Sequence, residues 1–216
     1  MLIASLLAKN FFRVVLDITM AISRIKNIQA YRYLKALGNP KVEFNSTKEL
    51  YSYARKKIVG VARDVGLEYL IVADTKKNKI LAEALGDSEN VIIDNRVFLG
   101  KDKRNITVMH GHARKGYPLS ATDCLHLCKL GYDKIIAFDT KGKFSLLQTL
   151  PNSNLDSSKN FLRMVGFLKK SLNSQNMFKK FFIDLFSVRT KQYDKLLKKF
   201  MTQKNVNFRY VSTMHK

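Results

Sequence analysis

Tryptophan is absent from this 216-residue chain, and proline and glycine are scarce, at 3 and 10 residues. So few chain breakers leave little room for long disordered linkers. Cysteine is nearly absent as well. Cys124 and Cys128 stand four residues apart in what reads as one helix, a geometry poor for a bridge. No disulfide framework is visible, and a reducing, cytoplasmic setting is the expectation. Acidic residues are few: 17 Asp and Glu face 39 Lys and Arg, for a formal net charge of +22. A charge of that size concentrates anionic partners such as nucleic acid, acidic protein or anionic lipid, without describing a fold. The apolar N-terminal stretch, residues 2 to 24, is broken by Lys9, Arg13 and Asp17. A spanning helix wants about 20 residues with few or no charges. A signal peptide wants its positive charge ahead of the apolar stretch, not inside it. An amphipathic helix packed on the protein is the better reading, ahead of a membrane surface.

What is present is 46% hydrophobic residues, enough for one well-packed domain with additional helices. Residues 1–40 read as an N-terminal helical segment, stopped at Gly38-Asn39-Pro40. Residues 41–150 read as a mixed α/β (α+β) core. Its expected elements are a short strand at 42–45, a helix capped by Ser46 or Thr47 and running to about Val59, and a hairpin of LEYLIVAD (67–74) with ILAEAL (80–85). A third strand is expected at VIIDNRVFL (91–99), and a fourth at NITVMHGH (105–112). A helix from Ser120 to Gly131 follows, then a second hairpin at 133–140 and 143–148. Residues 151–216 hold 14 Lys and Arg against three Asp, and predict a basic helical region ending in a strand at NFRYV. Its interleaved Phe and Lys suit either an anionic partner such as nucleic acid or a solvated face.

The informative stretch runs from His110-Gly-His112 to Ser120-Ala-Thr-Asp123 and holds two of the four histidines. Strand residues i and i+2 project to one side, so both imidazoles can converge on one ion. Ser120 and Asp123 share a face at a helix start. Two imidazole nitrogens and a carboxylate make a three-ligand set for zinc, with a fourth position left for water. A water activated by metal needs a base. Glu83 is the candidate, a carboxylate alternating with Leu81 and Leu85 on an otherwise apolar strand, with Glu68 as the fallback.

His-x-His, seven residues, then Ser-x-x-Asp resembles the signature of the JAMM/MPN+ (JAB-domain) zinc metallopeptidases, and the hairpin before it resembles the upstream glutamate element of that family and its RadC-like branch. The resemblance covers about residues 42 to 150. It implies a curved JAB/MPN-like mixed sheet with flanking helices and zinc at the sheet's edge. It implies His110, His112 and Asp123 as zinc ligands, Glu83 as general base and then acid, and Ser120 as a donor to the tetrahedral oxyanion. The implied reaction is hydrolysis of a peptide bond, or of the isopeptide bond between a ubiquitin-like protein and a lysine.

Plainer readings compete. Ser-x-x-Asp is also a helix-capping signature, and capping and metal binding compete for the Asp123 carboxylate. Glu83 can be a structural carboxylate paired with a nearby Lys or Arg. Cys124-Leu-His126-Leu-Cys128 reads as core packing rather than a second metal site. The second functional reading is a JAMM-like scaffold that binds nucleic acid through its basic helices, with affinity that falls steeply with salt.

Overall fold

The computed structural model describes residues 42–88, 91–92, 94–113, 115–150, 197–200 and 208–214, with residues 28, 29, 32 and 195 besides. The expected N-terminal helices and most of the basic C-terminal region lie outside the described residues.

Helix α1 spans Thr47–Asp64 and is capped by Ser46, whose side chain accepts a hydrogen bond from Glu49 N. Leu50, Ala54, Ile58 and Val61 recur every three or four residues and are fully buried. Val61 and the C-cap Val65 continue that apolar face, which carries the helix beyond the expected stop at Val59. The strands are β1 (Tyr69–Asp74), β2 (Lys79–Leu85), β3 (Ile106–Gly111), β4 (Lys134–Phe138), β5 (Phe144–Thr149) and β6 (Phe208–Ser212). They form one sheet in the order β2-β1-β3-β4-β5-β6. Only β3 and β4 pair in parallel; the other neighbours are antiparallel. Helix α2 (Ala121–Leu130) makes the crossover between the two parallel strands. Its N-cap is Ser120, and Gly131 ends it in the left-handed conformation at φ 70°. Among the described residues, no helix is long and apolar enough to cross a membrane.

The sheet has an apolar core on each face. On one side, Tyr69, Ile71, Met109, Ile136 and Phe138 pack against α1. On the other, Leu70, Val72, Val108, Ile135 and Ala137 pack against Cys124, Leu127 and Cys128 of α2. Leu197 and Phe200 join this second core, and β6 pairs with β5, so residues on both sides of position 150 build the sheet. Neither cysteine is in a disulfide and both are buried, as core packing requires.

Two strand expectations are corrected. Residues 42–45 contribute only an isolated bridge between Glu43 and Lys79. The expected strand at 91–99 is instead a turn of 3-10 helix, Asn95–Phe98. Asp94 caps it by accepting from Arg96 N, and Phe98 anchors it by stacking on Tyr132 with ring centroids 5.7 Å apart. A local side-chain cap and one buried ring replace sheet pairing there.

Candidate metal centre

Strand β3 carries His110, and His112 follows it, with Gly111 between them. Register fixes their direction. Leu70 pairs with His110 and Val72 with Val108, so His110 projects to the α2 face. Gly111 faces the other way. A Cβ there would come within 2.7 Å of Ile58 Cγ2 and 3.2 Å of the Ile58 carbonyl oxygen. The close approach of α1 to β3 therefore requires glycine between the two histidines.

His110 and His112 are 3% and 0% exposed, so both imidazoles are withdrawn from water. His110 Nε2 lies 3.0 Å from His112 Nε2 and 3.4 Å from Asp123 Oδ1. His112 Nε2 lies 3.8 Å from Asp123 Oδ2. Donors at the corners of a tetrahedron about a zinc ion, at the usual bond lengths, stand roughly 3.3 Å apart. The three side chains are thus close enough to hold one metal ion together.

Two neighbours, Tyr117 and Ser120, hold these donors in place. His112 Nδ1 lies 2.9 Å from the Tyr117 carbonyl oxygen, which can only accept. The proton therefore sits on Nδ1 and the lone pair on Nε2, where a metal would need it. Asp123 Oδ2 accepts from Ser120 N at 2.6 Å and from Ser120 Oγ at 2.7 Å. Ser120 Oγ in turn accepts from Asp123 N at 3.1 Å. Capping and metal binding are expected to compete for this carboxylate; its two oxygens are divided in a way that leaves room for both. Oδ2 closes the capping box while Oδ1 faces His110. Burial pushes the Asp123 carboxyl up, but the His110 and His112 imidazoles, whenever they carry a proton toward it, outweigh burial and hold it well below the usual carboxylate range.

Two side chains that the sequence did not single out brace the loop from His112 to α2. Asp139, fully buried, accepts from Gly116 N, Lys141 N and Lys143 N. Ser145 Oγ accepts from Leu119 N at 2.7 Å. Asp139 falls at the end of the strand expected at 133–140, and nothing local to the sequence marks it as buried.

The expected base is not at this site. Glu83 pairs with Ile71, and Ile71 with Met109, which places Glu83 on the α1 face, opposite the histidines. There Lys57 Nζ donates to both carboxylate oxygens at 3.1 Å, and Tyr69 Oη donates at 2.9 Å. Lys57 is almost fully buried, with the Tyr53 ring centroid 5.0 Å from its Nζ. The cause of the misplacement is a register shift at Val72/Ala73. Asp74 and Ala73 pair with Lys79 and Ile80, but Val72 pairs with Ala82, leaving Leu81 as an extra residue. Such a bulge reverses which face each later residue meets. An uninterrupted hairpin would set Glu83 opposite Leu70, on the histidine side.

Glu68 is placed differently. It precedes β1 and is 3% exposed. Leu67 and Tyr69 on either side both pack into the α1 core, so alternation turns Glu68 toward the α2 face. Leu70, two residues further on, pairs with His110. The structure thus gathers His110, His112, Asp123 and Ser120 at one corner of the sheet and leaves Glu83 out; the fallback Glu68 is buried just ahead of β1.

No protein-family model matches this chain, and no curated protein matches it. The site's own geometry is what bears on function.

Proposed function

We propose that this chain is a zinc-dependent hydrolase of peptide or isopeptide bonds, of JAMM/MPN+ (RadC-like) type, with zinc held by His110, His112 and Asp123. The observation that carries the reading is the buried His110–His112–Asp123 cluster at metal-ligand spacing, with the His112 tautomer set for ligation. The mixed sheet with helices on both faces agrees with a JAB/MPN-like domain.

Zinc, when bound, supplies Lewis acidity: it acidifies water and polarises a carbonyl. The chain's own groups divide the remaining work. In this reading Glu68, not Glu83, is the general base. Its carboxylate accepts the proton of the attacking water as the new C–O bond forms. It then returns that proton to the amine nitrogen as the C–N bond breaks. Ser120 holds Asp123 in its ligating rotamer, since its hydroxyl is already donated to that carboxylate. A donor role toward the oxyanion would require the hydroxyl to leave Asp123. Substrates of the proposed class are peptides and ubiquitin-like proteins joined through lysine.

The test is cleavage of a peptide panel and of a ubiquitin-like protein isopeptide-linked to a lysine peptide, by zinc-reconstituted chain. Glu68→Gln is expected to keep its zinc and lose turnover, while Glu83→Gln keeps both. Normal turnover by Glu68→Gln would remove Glu68 as the base.

A further inference from the structure

On the α1 face, away from the metal cluster, α1 covers β1, β3 and β4 but not the strands beyond. A groove of about 1060 Å³ lies there between the helix and β4–β5. One wall is a stripe of α1: Ser52, Arg55, Lys56, Val59 and Arg63 recur at helical spacing and run about 16 Å at the rise of an α-helix. The floor is apolar and partly aromatic, with Ile136, Phe138, Phe144 and Leu146 on one face by register. Phe144 and Leu146 remain half-exposed. The turn after β4 closes one end with Lys141 and Lys143.

Among the described residues the lining includes Arg55, Lys56, Arg63, Lys134, Lys141 and Lys143 and no Asp or Glu; just outside it Asp64 pairs with Arg63 and Asp133 with Lys134, so the positive charge of the groove rests mainly on Arg55, Lys56, Lys141 and Lys143. Arg55 is fixed in place by donating to the Gly142 carbonyl oxygen from Nη2 at 3.0 Å. Lys115 approaches from the loop after His112, close enough to Lys141 that its ammonium is pushed below its ordinary value. Such crowding of like charge is relieved by an anion.

We infer that this groove binds single-stranded nucleic acid, the basic walls taking phosphates and the Phe144 side of the floor stacking against bases. Charge complementarity selects a polyanion. The apolar, aromatic floor favours one that offers flat unpaired faces over a duplex, whose bases are already stacked. The groove is built by α1, β4, β5 and the turn between those strands, with Thr213 at its edge, and does not depend on the metal centre.

The experiment is fluorescence anisotropy of the full chain with a labelled pyrimidine oligonucleotide across a salt series. The groove variant K56E/K141E is compared with K101E/K103E, which makes the same charge change at exposed positions off the groove. Thermal melting confirms that both variants are folded. The groove variant is expected to lose more than tenfold in affinity, and its log-log salt slope to fall by about 2. The control is expected to change less than threefold. Phe144→Ala should weaken binding to the oligonucleotide and leave binding to heparin unchanged. Equal losses in the two charge variants would overturn the proposal, because general charge or another region would then be the binder. Equal Phe144 dependence for heparin, tighter groove-dependent binding of duplex, or displacement of the oligonucleotide by an acidic peptide would each overturn it too.

Discussion

The two faces of the sheet use the same residue types for different ends. On the α2 face, two histidines and a carboxylate crowd together with no permanent cation among them, and Ser120 and Tyr117 hold them in ligand-ready geometry. On the α1 face, a carboxylate of similar burial is already answered by an ammonium: Lys57 meets both oxygens of Glu83 and Tyr69 adds a third bond. A site for exogenous chemistry is one whose charges the protein arranges but does not neutralise. A structural ion pair closes its own account. By that comparison Glu83 belongs to the fold, and Glu68 is the base we propose.

The sharpest way to break the comparison is to exchange each glutamate for glutamine. Glu68→Gln should lower turnover by about 10²–10⁴, the usual contribution of a general base, at unchanged zinc content. Glu83→Gln should leave turnover near normal and destabilise the chain by about 1–3 kcal/mol, because a buried ammonium loses its charged partner; denaturant titration reads that loss. A reversed pattern would exchange the two roles. Next in size is Gly111→Ala, whose new methyl meets Ile58 and its backbone. It should cost about 1–3 kcal/mol, as overpacking does, and loosen metal binding by shifting β3. Ser120→Ala should cost about 1 kcal/mol as a lost helix cap. It should also weaken zinc affinity about 10–100-fold by releasing Asp123, measured by chelator competition. The smallest effect at neutral pH concerns Cys128, where burial pushes the thiol from 9.0 up to about 12. A raised folded value means stability is intact below the ordinary thiol value and declines as pH rises from 9.0 through about 12. At pH 8 a thiol reagent should label it only after unfolding; rapid labelling of folded protein would contradict its place in the core.

Much of the core was legible because the relevant signals are local. Apolar runs marked β1, β3 and β4, and Ser120 and Gly131 bracketed α2. Alternation put His110 and His112 on one face, which is a property of one strand alone. Glu83 was misjudged because its face depends on pairing between strands, and one extra residue, Leu81, reverses the outcome. The segment 91–99 misled because its β-favouring residues are outweighed by the Asp94 cap. Asp139 and Ser145 escaped notice because their importance lies in partners more than twenty residues away, at Gly116 and Leu119.

Metal content tests the central claim most directly. Tag-free chain is purified, reconstituted with zinc, exchanged into metal-free buffer and analysed for bound metal. It should hold about one zinc per chain, as a single three-ligand site requires. Glu68→Gln and Glu83→Gln should hold the same, and the His110→Ala, His112→Ala double variant should hold none. Zinc retained by the double variant, or absent from the unaltered chain after reconstitution, would contradict the assignment of His110, His112 and Asp123 as a metal centre.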